Sequence, residues 1–271
     1  MMAYSQRLRK ANEYIGFVPT MGALHEGHRS LVENSNTVCP HTLVSIFVNP
    51  TQFNNRDDFE KYPVTIEKDI FLLEKNHAEA VFLPTFEEVY EISPVTKKYE
   101  LGYLENILEG KYREGHFQGV CQVVERLLKI VLPTHLFLGQ KDYQQCLVIK
   151  KLISHLNQKP EVIICPTLRE PDGLAMSSRN LRLNVNQRMQ AVEISKCLLY
   201  IKEHLPVGDV NKLKRKITAR LTEKSFRVDY VEICNLETLI PINEWDGKEA
   251  LIALVAAYID EVRLIDNILL Q

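Results

Sequence analysis

Short, continuously apolar runs rich in β-branched residues alternate along this chain with longer stretches of helical period. That alternation constrains the fold more than any other feature. Ile15-Gly16-Phe17-Val18, Leu43 to Val48, Ala80 to Leu83, His135 to Leu138 and Glu161 to Cys165 read as strands. Pro19, Asn49-Pro50 and Pro84 are expected to stop the first three. Between them Gly22 to Asn34, Asp69 to Asn76 and Lys141 to His155 read as helical. Val120, Val123, Val124, Leu127, Leu128 and Val131 recur at the spacing of an amphipathic stripe. Strands that are apolar throughout, separated by helices, specify an α/β fold: a parallel sheet with helices on both faces. Ligands of such sheets bind beyond the carboxyl ends of the strands, so the loops there should hold the site.

Around Arg179 to Asn186 the pattern changes. Gln187 to His204 and Val210 to Lys224 read as helices, and Arg227 to Cys234 and Ala250 to Ile259 as strands of a small α+β unit. Two domains, 1–178 and 179–271, are therefore expected. The chain has 271 residues, 45% hydrophobic, enough for a substantial core. A net charge of −2 gives no reason to expect nucleic acid or an anionic membrane as partner. The six cysteines form no C-x-x-C pair and read as buried free thiols of a reducing compartment. Met1 to Ala11 has no apolar signal core, and Ala250 to Ile259 falls far short of the roughly 20 residues that span a bilayer. A cytoplasmic location is expected.

Four motifs sit in the loops. His25-Glu26-Gly27-His28 follows the turn Pro19-Thr20-Met21-Gly22 and opens a helix. Two imidazoles three apart share a face there, where free backbone amides and the helix dipole favour a triphosphate. A lone H-x-x-H is more simply a pair of surface histidines capping a helix; the intervening Gly27 and the preceding strand and turn shift the balance toward a nucleotide. Asn49-Pro50-Thr51-Gln52-Phe53 offers donors and acceptors for hydroxyls and a carboxylate. Gly139-Gln140-Lys141-Asp142 and Gln145 repeat the strand-to-helix design, with Lys141 a compact charge for a phosphate and Gln145 on the same helical face. Met176-Ser177-Ser178-Arg179 could clamp phosphate oxygens. Asp57, Asp58, Glu60 and Asp69 are acids that could help hold Mg²⁺, though solvated charge suits most of them. His41, His77, His135, His155 and His204 read as structural or surface residues.

Pro-Thr-Met-Gly-Ala-Leu-His-Glu-Gly-His (19–28), Asn-Pro-x-Gln-Phe (49–53), Gly-His-Phe-x-Gly-Val (115–120), Lys-Asp-Tyr-Gln-Gln (141–145), Asp-Gly-Leu-Ala-Met-Ser-Ser-Arg-Asn (172–180) and Arg-Leu-Ile-Asp-Asn (263–267) occur in that order. Together they resemble the pantothenate synthetase family over nearly the whole chain. The resemblance implies a Rossmann-like nucleotidyltransferase domain, a small C-terminal lid domain and a homodimer. It implies use of ATP and Mg²⁺ to join pantoate to β-alanine through a pantoyl-adenylate. It further implies that Met21, Gly22, Ala23, Leu24, His25, Glu26, Gly27 and His28 hold ATP, with His28 as proton donor. Gly139, Gln140, Lys141, Asp142, Leu168, Met176, Ser177, Ser178 and Arg179 would also contact ATP. Gln52 would bind both acids and Gln145 pantoate, with Asn49, Tyr62 and Arg113 as secondary site residues. His25, His28 and Lys141 would be catalytic.

Glu114 replaces the family's Pro beside Arg113, Gln140 replaces a Glu, and the segment before Ile15 is short. Glu114 puts the role of Arg113 in doubt. Two other readings stay open on the residues alone: another His-x-Gly-His nucleotidyltransferase, or a non-catalytic nucleotide-binding module.

Overall fold

The structure is a computed structural model that describes residues 1–53, 56–90, 97–157 and 159–270. The chain divides into two compact units, Met1–Gln140 with Gln144–Pro166, and Lys141–Tyr143 with Thr167–Gln271. Residue 178, where two domains were expected to meet, lies inside the second unit.

The first unit is built on β1 (Ile15–Thr20), β2 (His41–Ile46), β3 (Ala80–Phe82), β4 (His135–Gly139) and β5 (Glu161–Cys165). They form one sheet in the order β3-β2-β1-β4-β5, and every pairing is parallel. Its helices are α1 (Met2–Lys10), α2 (Glu26–Val38), α3 (Arg56–Glu60), α4 (Ile66–Lys75), α5 (Phe86–Val89), α6 (Leu108–Tyr112), α7 (His116–Val131) and α8 (Tyr143–Ser154), the last beginning with a residue of the second unit. Phe17, Leu43, Val44, Leu136 and Phe137 are fully buried, as strands covered on both faces require. The α/β fold expected from the sequence is the fold observed.

The second unit carries β6 (Gly208–Asp209), β7 (Arg227–Asn235), β8 (Glu244–Trp245), β9 (Leu251–Ile259) and β10 (Val262–Leu269), with α9 (Val185–Glu203) and α10 (Asn211–Glu223). β10, β9 and β7 make an antiparallel sheet and β6 pairs with β8. Ile194, Leu198, Ile217, Leu221, Ile233 and Val255 form its core. Each such side chain contributes about 1.5–3 kcal/mol by leaving water.

Local departures have physical causes. Pro19 does not end β1, which runs on to Thr20. Beyond Phe17 this strand pairs only with β2, so a residue lacking N–H is tolerated on its unpaired side. α2 begins at Glu26 rather than Gly22, because Gly22 (φ +82°) and Ala23 (φ +48°) are left-handed. Lys141 lies in a 3-10 turn, Gln140–Asp142, ahead of α8, so it does not share a helical face with Gln145. All six cysteines are free and buried, and no helix of the described residues is long and apolar enough to cross a membrane.

Candidate active site

The strand-to-helix connection from Thr20 to His28 is fixed by its own side chains and by α4. Thr20 Oγ1 donates to Ser45 O (2.8 Å) and accepts from Gly22 N–H (3.2 Å). Asp69, 2% exposed, accepts from Ala23 N–H (2.9 Å) and Leu24 N–H (2.8 Å), and from the Thr65 hydroxyl (2.9 Å). Both Asp69 oxygens are engaged in these bonds, which corrects its reading as a solvated acid. Asp57 and Glu60 lie exposed on α3, and among the described residues no three His, Cys, Asp or Glu side chains gather as a metal would require.

His25 is the N-cap of α2, and its Nδ1 accepts from Gly27 N–H at 3.1 Å. His28 Nδ1 accepts from His25 N–H at 3.3 Å, and the two rings lie 4.1 Å apart. The histidines do cap the helix, and the capping fixes their chemistry. With Nδ1 an acceptor, each neutral ring carries its proton on Nε2. The amides of Gly22, Ala23, Leu24, His25 and Gly27 all have internal acceptors. The expected row of free helix-start amides is therefore largely used up, with the two half-buried imidazoles beside it.

Asn49, fully buried, anchors the next loop. Its Oδ1 accepts from Thr51 N–H (3.3 Å), the Thr51 hydroxyl (3.1 Å) and the Tyr90 hydroxyl (2.9 Å). Its Nδ2 donates to Gly119 O (3.3 Å) and Gln52 Oε1 (3.4 Å). That saturation makes Asn49 a holder of Gln52. Gln52 Nε2 rests on Met21 Sδ (2.8 Å), a weak acceptor. His116, 5% exposed, donates from Nδ1 to Gln52 O (2.8 Å). Tyr62 packs edge-on against Phe53, 5.7 Å between centroids. Arg113, largely buried, faces Glu109 at 3.7 Å. Of the pair Gln144-Gln145, Gln144 is buried, accepts from Glu109 N–H and donates to Leu104 O and Ile107 O. Gln145 is half-buried, and its amide has no partner among the described residues. A cleft of about 290 Å³ in this unit is lined by Met21, Gly22, Phe47, Pro50, Thr65 and Asp69 with neighbouring apolar side chains.

In the second unit Leu168 O accepts from Met176 N–H (3.1 Å) across a hairpin that turns at Pro171-Asp172-Gly173. Ser177 caps the next turn by accepting from Arg179 N–H (3.3 Å), and Ser178 is buried. Arg169 donates from both terminal nitrogens to Asp266 (2.6 and 3.0 Å). Burial raises the Asp266 pKa, against the pull of Arg169. Asn267 Nδ2 donates to Lys141 O at 2.9 Å, while Lys141 Nζ lies 3.2 Å from Asp142. A small pocket of this unit is lined by Lys141, Ser177, Arg179, Asn180 and Asp266.

Several residues of this framework carry no role in the sequence reading: Tyr90, His116, Gly119, Arg169, Asp266 and Asn267. His116 and Gly119 lie in 115–120, and Asp266 and Asn267 in 263–267, stretches already noted for resemblance. That was the available signal, without a chemistry attached.

A family model described as pantoate-beta-alanine ligase matches residues 1–269. A pantothenate synthetase of Azobacteroides pseudotrichonymphae is 43% identical over 97% of this chain and 94% of its own length. One from Thermotoga petrophila is 44% identical over 100% and 96%. The crystal structure of pantothenate synthetase from Thermus thermophilus superposes with a TM-score of 0.91 at 40% identity, covering 98% of this chain and 97% of that one. A Francisella tularensis pantoate-beta-alanine ligase, complexed with β-γ ATP and β-alanine, gives a TM-score of 0.79 at 36% identity over 99% and 95%.

Proposed function

This chain belongs to the pantoate-beta-alanine ligase family, and from that premise we propose how its residues carry the reaction. The chain is an AMP-forming ligase that joins pantoate to β-alanine at the expense of ATP. The Francisella relative's complex with ATP and β-alanine supports the use of both here.

The observation that carries the residue assignment is the histidine pair at the start of α2, each ring tied by Nδ1 to backbone N–H. Nε2–H of His25 and His28 then donates to phosphate oxygens of ATP. A carboxylate oxygen of pantoate attacks the α-phosphorus, the bond to pyrophosphate breaks, and a pantoyl-adenylate forms. Charge that grows on the phosphates meets donors already in place, and the neutral His28 ring stabilises the leaving pyrophosphate by hydrogen-bonding to it through Nε2–H, since giving up that proton would leave an imidazolate. Lys141 supplies positive charge to the phosphates, and the Ser177, Ser178 and Arg179 segment further donors. Gln52 and Gln145 hold pantoate. The β-alanine amine next attacks the acyl carbon and AMP departs with the electron pair of the acyl–oxygen bond.

Mg²⁺ enters this reading as the counter-ion of the ATP phosphates. The described residues offer no cage of three ligands, and no step is assigned to the ion. A homodimer is part of the same reading, on the strength of the resemblance, and a cytoplasmic location is part of it on the strength of the free, buried cysteines.

His28→Ala and Lys141→Ala test the assignment. Each is expected to lower turnover about 10²–10³-fold, the usual cost of a lost transition-state donor, while ATP still binds. Wild-type turnover in either variant with ATP bound would contradict it.

A further inference from the structure

We propose that Asp69 is the positioning residue of the nucleotide loop: its carboxylate holds the Gly22–Leu24 turn and thereby sets the histidine pair. The inference rests on the reading that His25 and His28 face ATP.

Gly22 and Ala23 are consecutive left-handed residues. An alanine there is disfavoured by its own sterics, so something outside the turn must hold it. Asp69 supplies that hold from α4, 45 and 46 residues along the chain. Its Oδ2 takes the Ala23 N–H, and its Oδ1 takes the Leu24 N–H and the Thr65 hydroxyl. Thr65 is the N-cap residue of α4, yet its side chain makes no capping bond and turns to the carboxylate instead. A Cβ on Gly22 would lie 3.1 Å from Asp69 Oδ2, so the close approach suits glycine.

Asp69 has no ion pair among the described residues, and its carboxylate is held by these donors alone. A buried charge without a cation is costly unless hydrogen bonds compensate it, and bonds to ionised groups are the stronger ones. The next residue after Leu24 is His25. Fixing the Ala23 and Leu24 peptides fixes the entry into α2, and so where both Nε2 atoms point. An acceptor-only carboxylate suits two converging N–H groups, whereas an amide would turn an NH₂ against one of them.

The test compares Asp69→Asn and Thr65→Val with wild type, with Glu67→Gln on the same helix as an exposed control and His28→Ala as reference. Steady-state constants for ATP and β-alanine are measured per folded active site, alongside circular dichroism. Asp69→Asn is expected to lower kcat/KM for ATP by about 30-fold, and Thr65→Val by about 5-fold, as charge-assisted bonds weaken. KM for β-alanine should stay within about two-fold, and Glu67→Gln should match wild type. Wild-type kcat/KM for ATP in Asp69→Asn would overturn the proposal, as would a loss that only follows the folded fraction with both KM values unchanged. If Asp69→Asn does not fold, an unchanged Thr65→Val overturns it. Full activity in His28→Ala would remove the underlying site reading, whereas collapse of His28→Ala beside normal Asp69→Asn would remove only this inference.

Discussion

Gly119 shows how tightly single residues are constrained around Gln52. A Cβ there would lie 2.2 Å from Thr51 O and 2.8 Å from Gln52 Cα, so α7 touches the Asn49–Gln52 turn backbone to backbone. Gly119→Ala is expected to destabilise the protein by about 1–3 kcal/mol, as overpacking does, and to raise KM for pantoate. Thermal unfolding and kinetics check this, and an unchanged melting temperature and KM would contradict the contact. The sequence makes the candidate side chains legible but not their partners. His25 and His28 stand out because their own local segment brings them together. His116 and Gly119 reach Gln52 and Asn49 across 64 and 70 residues, and Asn267 reaches Lys141 across 126, separations that no local pattern encodes. Asp69 shows the same limit, since a buried carboxylate holding a loop looks like any helix acid until the loop is in place.

Elements are more legible than contacts, because strand and helix periods are local. β5 spans the expected residues, while β10 and α1 lack an expected counterpart. β10 alternates buried and partly exposed positions, and the polar and charged residues among them hide the strand from an apolar-run criterion. α7 illustrates what an element does beyond packing. Its Glu125, 5% exposed, receives the Tyr99 hydroxyl (2.6 Å), Lys97 Nζ (2.9 Å) and Lys129 Nζ (2.9 Å), so the helix clamps the segment at 97–99. Burial alone would raise the Glu125 pKa, but these three donors outweigh it and bring it down to about 2 from 4.5. The folded state therefore binds this proton less readily than the unfolded chain. Its contribution to stability is present above about pH 4.5 and is lost as pH falls toward about 2. In Glu125→Gln, urea midpoints should fall less between pH 5 and pH 2.5 than in wild type, and an unaltered acid limb would contradict the clamp.

At the scale of the molecule, the sequence announces a parallel α/β unit followed by an α+β unit, and both are observed. The place where the chain passes from one to the other is less legible. Lys141–Tyr143 belongs with the second unit although a strand and a helix of the first flank it, an assignment that depends on contacts such as Tyr143 to Leu236 O and Asn267 to Lys141 O. What the whole molecule does follows from its membership in the family together with a complete set of candidate side chains. The central claim is that the chain activates the pantoate carboxylate by adenylation before β-alanine reacts. Exchange of labelled pyrophosphate into ATP, measured without β-alanine, tests it most directly. The account predicts exchange that appears only when pantoate is added, with β-alanine then drawing the intermediate to pantothenate and AMP. Exchange supported by an amino acid in place of pantoate, or none with pantoate and ATP together, would contradict it.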